Sequence, residues 1–359
     1  MSAANSSSMA RSQTPSSTGL QMIGDRDLEK DAAGADTLNL IRQCQLDFFG
    51  SFLSIPITSA TTVTITVIFT ISPPINKKRT NPNMALSRAE LESIAAVHVR
   101  EPLPADTLTA AFNSKPFIST ESIINLRDLG AVPGSAIRPG HIFRSGMLDA
   151  AAADPEAMAW LTANVKTVFD LRSEEERATY PSPEITGVKF VFCERVAEYP
   201  QPSPADFAVD DGRTAWREQL MAVIAAYKPS IRAVLEHVRD RPNEPFLFHC
   251  TAGRDRTGVV AGLLQTLAGT KQEDVIFDYM LSRIGIEPAR ERLLVFILAN
   301  IDVRGTEEPG FWNMVSLRPS FWKAFGQGVE AEYGGWGGYV KGLGFSTKDL
   351  ETIKKNLRA

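Results

Sequence analysis

The run FLFHCTAGRDRTGVV, Phe246 to Val260, sets one cysteine, Cys250, between an apolar stretch and two arginines, the second of them Arg256. A thiol in that setting points to nucleophilic attack on an anionic centre. PFLFHC has the apolar density of a short strand, and TGVVAGLLQTLAG spaces its small and apolar residues like a helix packed on two sides. The loop CTAGRDR therefore lies at a helix N-terminus. There the backbone amides of Thr251, Ala252, Gly253, Arg254, Asp255 and Arg256 can curl around a tetrahedral oxyanion, with the positive end of the helix behind them. Gly253 permits a backbone conformation that residues with side chains avoid. The same field favours a thiolate. A free thiol with pKa ~8.5 is mostly protonated at neutral pH, whereas one lowered to ~5 is almost wholly ionised.

The remaining loop residues fit a transfer of phosphorus. Arg256 carries a planar fork of donors that matches two phosphoryl oxygens, which lysine cannot reproduce. The Thr257 hydroxyl can serve the thiolate when it departs. Cys250 would attack in line and form a cysteinyl phosphate that water then hydrolyses. Singly, each residue has a plainer explanation: a buried cysteine is a small hydrophobe, and a glycine after a strand serves the turn. Together they have no packing purpose at this spacing. Arginines at a helix N-terminus also oppose the dipole, an unfavourable contact that a bound anion offsets.

The whole chain has 359 residues, a formal net charge of -4, 43% hydrophobic and 22% charged residues. That is an ordinary globular composition, with no sign of a nucleic-acid partner. Three scattered cysteines, Cys44, Cys193 and Cys250, and four histidines argue against a disulfide framework and a metal centre. Catalysis without metal or cofactor, in the reducing cytoplasm, is the expectation.

The first 83 residues differ in texture. Met1 to Leu20 is rich in Ser, Thr and Ala without apolar periodicity, so disorder is expected. Phe48 to Ser72 is uncharged and long enough for a bilayer, but Pro56 interrupts it and Thr and Ser dilute its hydrophobicity, so a membrane anchor is disfavoured. Texture changes at Met84, where LSRAELESIAAV begins an amphipathic helix with Ser87 as cap. Met84 reads as a start, and residues 1–83 as an extension or a stretch foreign to the natural chain. A chain beginning at Met84 is expected to match the full chain in folding and specific activity, and a side-by-side assay with circular dichroism checks this.

From Phe112 onward, strand-like pieces alternate with helical ones. DPEAMAWLTAN reads as a helix, VKTVFDLRS and GVKFVFCERV as strands, and TAWREQLMAVIAAYKPSIRAVLEHVRD as helix broken at Pro229. Alternation predicts an α/β fold with a mostly parallel sheet flanked by helices, and ligands beyond the carboxyl ends of the strands. The stretch AEYPQPSPADFAVDDGRTAWREQLM before the catalytic strand is either a lid over the cleft or a surface loop.

HCTAGRDRTG resembles the phosphate loop of the cysteine-based tyrosine phosphatases, and within them the atypical bacterial and fungal tyrosine/serine branch with a Lys-Asp-Arg loop. NLRDLG, IFRSGML, TVFDLRSEEER and the C-terminal AEYGGWGGYVKGLGFSTKDLETIKKNL resemble that family's other motifs in order, over roughly Phe112 to Leu357. Arg254 departs from the pattern, since lysine is usual there. Taken with the change of texture at Met84, the resemblance implies a catalytic domain over 84–359 and phosphoprotein substrates, with phosphoinositides or inositol phosphates as the alternative that Arg254 leaves open. It also implies an acid at the position of Asp255. A second candidate acid, Asp170, ends the TVFD strand, and is read rather as a structural carboxylate paired with Arg172 or Arg127. Asp128 is expected to brace a turn, His249 to order the loop by hydrogen bonding, and Cys193 to lie in the core. A rhodanese-like sulfurtransferase usually lacks the Asp-Arg-Thr run, and an inactive phosphate-binding scaffold would have lost Cys250 or Arg256.

Overall fold

The computed structural model describes residues 85–358, so the expectations for the N-terminal extension and its Thr-rich run lie outside the described residues. The first helix, α1 (Arg88–Ala95), opens on the expected cap. Ser87 receives the Glu90 amide, and its own amide donates to the Glu90 carboxylate at 2.8 Å.

Five strands form one sheet: β1 (Arg127–Asp128), β2 (Ile142–Ser145), β3 (Thr167–Asp170), β4 (Lys189–Phe192) and β5 (Phe246–His249). Their spatial order is β1-β2-β5-β3-β4, parallel throughout except for β1, which runs antiparallel at the edge. The fold is thus the expected α/β type. Side-chain alternation along the strands decides how the layers form. Ile142, Phe169, Phe246 and Phe248 join the larger core, while Phe143, Val168 and Leu247 point into a smaller one on the other face. Helix α2 (Pro155–Asn164) closes the smaller side with Ala157 and Leu161.

The short helix α3 (Glu174–Thr179) follows β3. The long segment read as helix broken at Pro229 is two helices, α4 (Arg213–Ala226) and α5 (Lys228–Asp240), with Pro229 in the first turn of the second. Tyr227 sits at the seam, out of the helical run, and is thereby free to face the site. Helices α6 (Asp255–Ala268), α7 (Gln272–Gly285), α8 (Arg290–Asn300) and α9 (Pro319–Tyr333) complete the elements that shape the site. Among the described residues, no helix is long and apolar enough to cross a membrane.

Three strand ends lie level with one another. Ser145 and Asp170 are both in register with His249 on the central strand β5. The loop from Cys250 to Arg254 therefore leaves the middle of the sheet at its carboxyl edge and turns directly into α6.

Candidate active site

The loop's conformation follows from where its carbonyls go. Thr251 O accepts from the Met147 amide at 3.0 Å, and Ala252 O from Asn125 Nδ2 at 3.2 Å. Gly253 O accepts from Asn125 Nδ2 and Arg144 Nη2, each at 2.8 Å. Three successive carbonyls are thus drawn outward. Among the described residues no protein acceptor takes the amides of Thr251 to Arg256. Unpaired donors at a helix N-terminus form an anion site.

Gly253 is required twice over. Its φ is +67°, and a Cβ there would lie 2.3 Å from Ser145 O. The loop therefore rests on β2 with no room for a side chain.

The outward pull depends on a buried polar cluster. Asp278 on α7 accepts from Arg127 Nε at 2.7 Å and from Arg144 Nη1 at 2.5 Å, and neither arginine is exposed to solvent. Arg127 also donates to the Asn125 side chain, and Asn125 itself has φ of +59°. Burial pushes the Asp278 carboxyl up, but the charges of Arg127 and Arg144 outweigh it and hold the group below the usual carboxylate range. Arg127 thus serves Asp278 and not Asp170, for which Arg127 and Arg172 were the two expected partners.

Asp170 instead meets Arg172. Arg172 Nε lies 2.9 Å from Asp170 Oδ1 and Nη2 lies 2.7 Å from Oδ2, while Arg177 approaches to 3.6 Å. Burial raises the Asp170 carboxyl, yet His249 and Arg172 pull it below the ordinary value. Burial also lowers the pKa of His249, so that ring is uncharged near neutrality and the arginine carries the effect there. His249 Nδ1 is 3.2 Å from Cys250 O, a local bond within the loop's own entry. Asp128 braces its turn by accepting from Gly130 and Gly140 amides at 2.9 and 2.7 Å. Cys193 is only half-buried.

Cys250 is 3% exposed at the floor of a cavity of 590 Å³ that Thr251, Ala252, Arg254, Asp255 and Arg256 also line. Thr257 lies behind them, fully buried, with Oγ1 lacking any protein partner among the described residues. Arg254 is held aside by three contacts. Its Nε is shared between the Asp255 oxygens at 2.9 and 3.2 Å, Nη1 donates to Val315 O at 2.8 Å, and the guanidinium stacks 5.0 Å over Trp216. The segment before the catalytic strand, open between lid and surface loop, contributes Tyr199, Gln201 and Pro202 to this cavity, and α4 contributes Trp216 and Gln219.

A tyrosine phosphatase family model matches residues 118–359, more than half of the chain. The chain belongs to the tyrosine phosphatase family. A tyrosine-protein phosphatase of Nostoc commune is 26% identical over 303 residues, spanning 77% of this chain and 97% of that one. The triple specificity protein phosphatase PtpB of Mycobacterium tuberculosis is 26% identical over 270 residues, spanning 64% and 95%. The core catalytic domain of the PP-IP phosphatase SIW14 from S. cerevisiae covers 44% of this chain and 83% of its own. At 17% identity and a TM-score of 0.26, that likeness is too weak to bear on the site. The protein is accordingly a phosphoric monoester hydrolase of the tyrosine phosphatase type.

In this phosphatase the arginine fork has a partner that sequence reading missed. Arg256 Nη1 and Nη2 bind the two Glu176 oxygens at 2.5 and 2.7 Å, and Thr251 Oγ1 donates to the same carboxylate. Nη1 also reaches Leu171 O at 3.2 Å and the Tyr227 hydroxyl at 3.4 Å. Burial raises the Glu176 carboxyl, but the bonds and charge of Arg256 and the Thr251 and Ser173 contacts bring it down to about 2. The available signal was S-x-x-E at Ser173 to Glu176, a capping box. Glu176 does cap, accepting from the Ser173 amide at 2.8 Å, and the same carboxylate holds the arginine. Asn125, Arg144 and Asp278 were missed as well. Gln219, 9% exposed with Oε1 unpartnered, has no sequence signal at all.

Proposed function

We propose that this phosphatase hydrolyses phosphotyrosine in proteins through a phosphocysteine formed at Cys250, without a metal ion. The outward engagement of three successive loop carbonyls carries the reading. It leaves the amides from Thr251 to Arg256 for an oxyanion directly above a thiol at a helix N-terminus. Cys250 Sγ attacks phosphorus as the ester oxygen leaves, Arg256 and the amides bear the charge, and Thr257 Oγ1 supports the departing thiolate in the second step. A nucleophilic cysteine lasts longest where oxidants are scarce, which supports the reducing cytoplasm as the enzyme's compartment.

Asp255 is assigned as the proton donor to the leaving oxygen. One Arg254 N–H serves both of its oxygens, so each retains an unused lone pair. Asp170 is assigned a structural role because the Arg172 fork occupies both of its oxygens. Asp255→Asn is expected to slow a phosphotyrosine peptide by roughly a hundredfold or more while barely affecting an activated aryl phosphate, which departs without a proton. Asp170→Asn is expected to lower thermal stability and to slow both substrates alike. Leaving-group dependence in Asp170→Asn, and none in Asp255→Asn, would reverse the two assignments.

A further inference from the structure

Helix α8 is an unusual wall for a catalytic cavity. Leu293 to Leu298 are six consecutive apolar residues, yet no residue of the helix is fully buried. Leu294, Ile297 and Leu298 pack against the core. Leu293 and Phe296 are not among them; together with Leu294 and Ile297 they line the cavity that holds Cys250 and Arg256. Three residues apart, they share one helix face. Two of the few large exposed apolar side chains belong to the same surroundings. Val295, on α8, is 43% exposed, and Val196, 62% exposed, lies on the loop that gives Arg195 and Tyr199 to the cavity.

The cavity's charges are largely committed. Arg254 pairs with Asp255 at 2.9 Å, Arg256 with Glu176 at 2.5 Å and Arg290 with Glu287 at 3.5 Å. Among the described lining residues only Arg195 is a cation without an ion pair. Further phosphates on an inositol ring would need several free cations, and its hydroxyls would meet leucine and phenylalanine. A phosphotyrosyl side chain fills only part of 590 Å³, leaving the apolar wall to a neighbouring group.

We infer that Leu293 and Phe296 form a subsite for a large aliphatic side chain adjacent to phosphotyrosine in the protein substrate. The subsite rests on phosphotyrosine hydrolysis at Cys250 and adds a sequence preference to it. The wall is continuous with the phosphate site, so a residue next to the phosphotyrosine reaches it without a second binding event. Leucine in place of alanine adds three carbons; their partial burial gives roughly a tenfold gain in kcat/KM.

The test compares matched phosphotyrosine peptides carrying leucine or alanine on either side, 4-nitrophenyl phosphate, and phosphoinositide vesicles. Enzymes are the full chain and its Leu293→Ala/Phe296→Ala variant, in which alanine keeps the helix and the core is untouched. The expected result is a roughly tenfold leucine preference in the native enzyme, lost in the variant when each peptide rate is taken relative to the same enzyme's 4-nitrophenyl phosphate turnover. Equal rates on leucine and alanine peptides, or a preference that survives in the variant, overturns the subsite. Faster turnover of phosphoinositide vesicles than of any peptide overturns the protein occupant. Inactivity toward 4-nitrophenyl phosphate and every peptide instead removes the phosphatase reading itself, before any preference can be compared.

Discussion

Cys250→Ser is expected to reduce turnover of a phosphotyrosine peptide by a factor of about 10⁴ or more, with peptide binding retained within a few-fold. A serine hydroxyl is a far weaker nucleophile than a cysteine sulfur, so the attacking group is lost while the anion site remains. Losing a nucleophile that works as one unit with its surroundings typically removes most of the chemical acceleration. The binding half follows from the loop's architecture. Its shape depends on Met147, Asn125 and Arg144 drawing carbonyls outward, and none of those contacts involves the sulfur. Stopped-flow or long-duration assays measure the rate, and calorimetric titration with the intact phosphopeptide measures the affinity. A variant turning over at the native rate eliminates the phosphocysteine. A variant that neither turns over nor binds places Cys250 in the loop's fold instead of its chemistry.

The loop was legible because its chemistry is local. Cys250, Gly253, Arg256 and Thr257 lie within eight residues, and a strand–loop–helix reading fixes their common address. The sheet was legible because its central strands are buried on both faces and stand as short apolar runs between turn residues. What stayed hidden is what the loop borrows from elsewhere. Asn125 and Arg144 reach it from residues more than a hundred positions away, and Asp278, which orients Arg144, comes from a helix that follows it. Buried ion pairs of that kind leave no periodic trace, since a single polar residue in a strand looks like an edge or a turn. Glu176 was hidden differently. Its capping spacing gave it a sufficient local explanation, and the second role appears only when α3 is placed beside the catalytic loop. Arg254 shows the converse error. Its charge was counted as free for substrate, whereas Asp255, Val315 O and Trp216 fix it to one side.

Arg256→Lys is expected to lower kcat/KM by roughly 10² to 10³, about 3–4 kcal/mol of transition-state stabilisation, with most of the loss in kcat. The guanidinium does two things at once that an ammonium cannot. It meets both Glu176 oxygens and Leu171 O, and its planar fork can still present N–H groups to phosphoryl oxygens. Lysine would satisfy Glu176 or the substrate, not both in fixed geometry. Glu176 is accordingly a positioning residue, and Glu176→Gln should lower kcat with little change in KM while leaving the loop folded. The two effects should not add. Once Arg256 is lysine there is no fork to orient, so Glu176→Gln on that background should cost far less than it does alone. Titration separates this from a proton-transfer role. The Glu176 carboxyl, ordinarily near 4.5, is drawn down to about 2, so it stays ionised at higher pH and its contribution fades only as pH falls through that interval. The ratio of native to Glu176→Gln rates should therefore be flat from about pH 5 to 8. A ratio that changes across that range assigns Glu176 to proton transfer, and full additivity with Arg256→Lys removes it from the arginine's support.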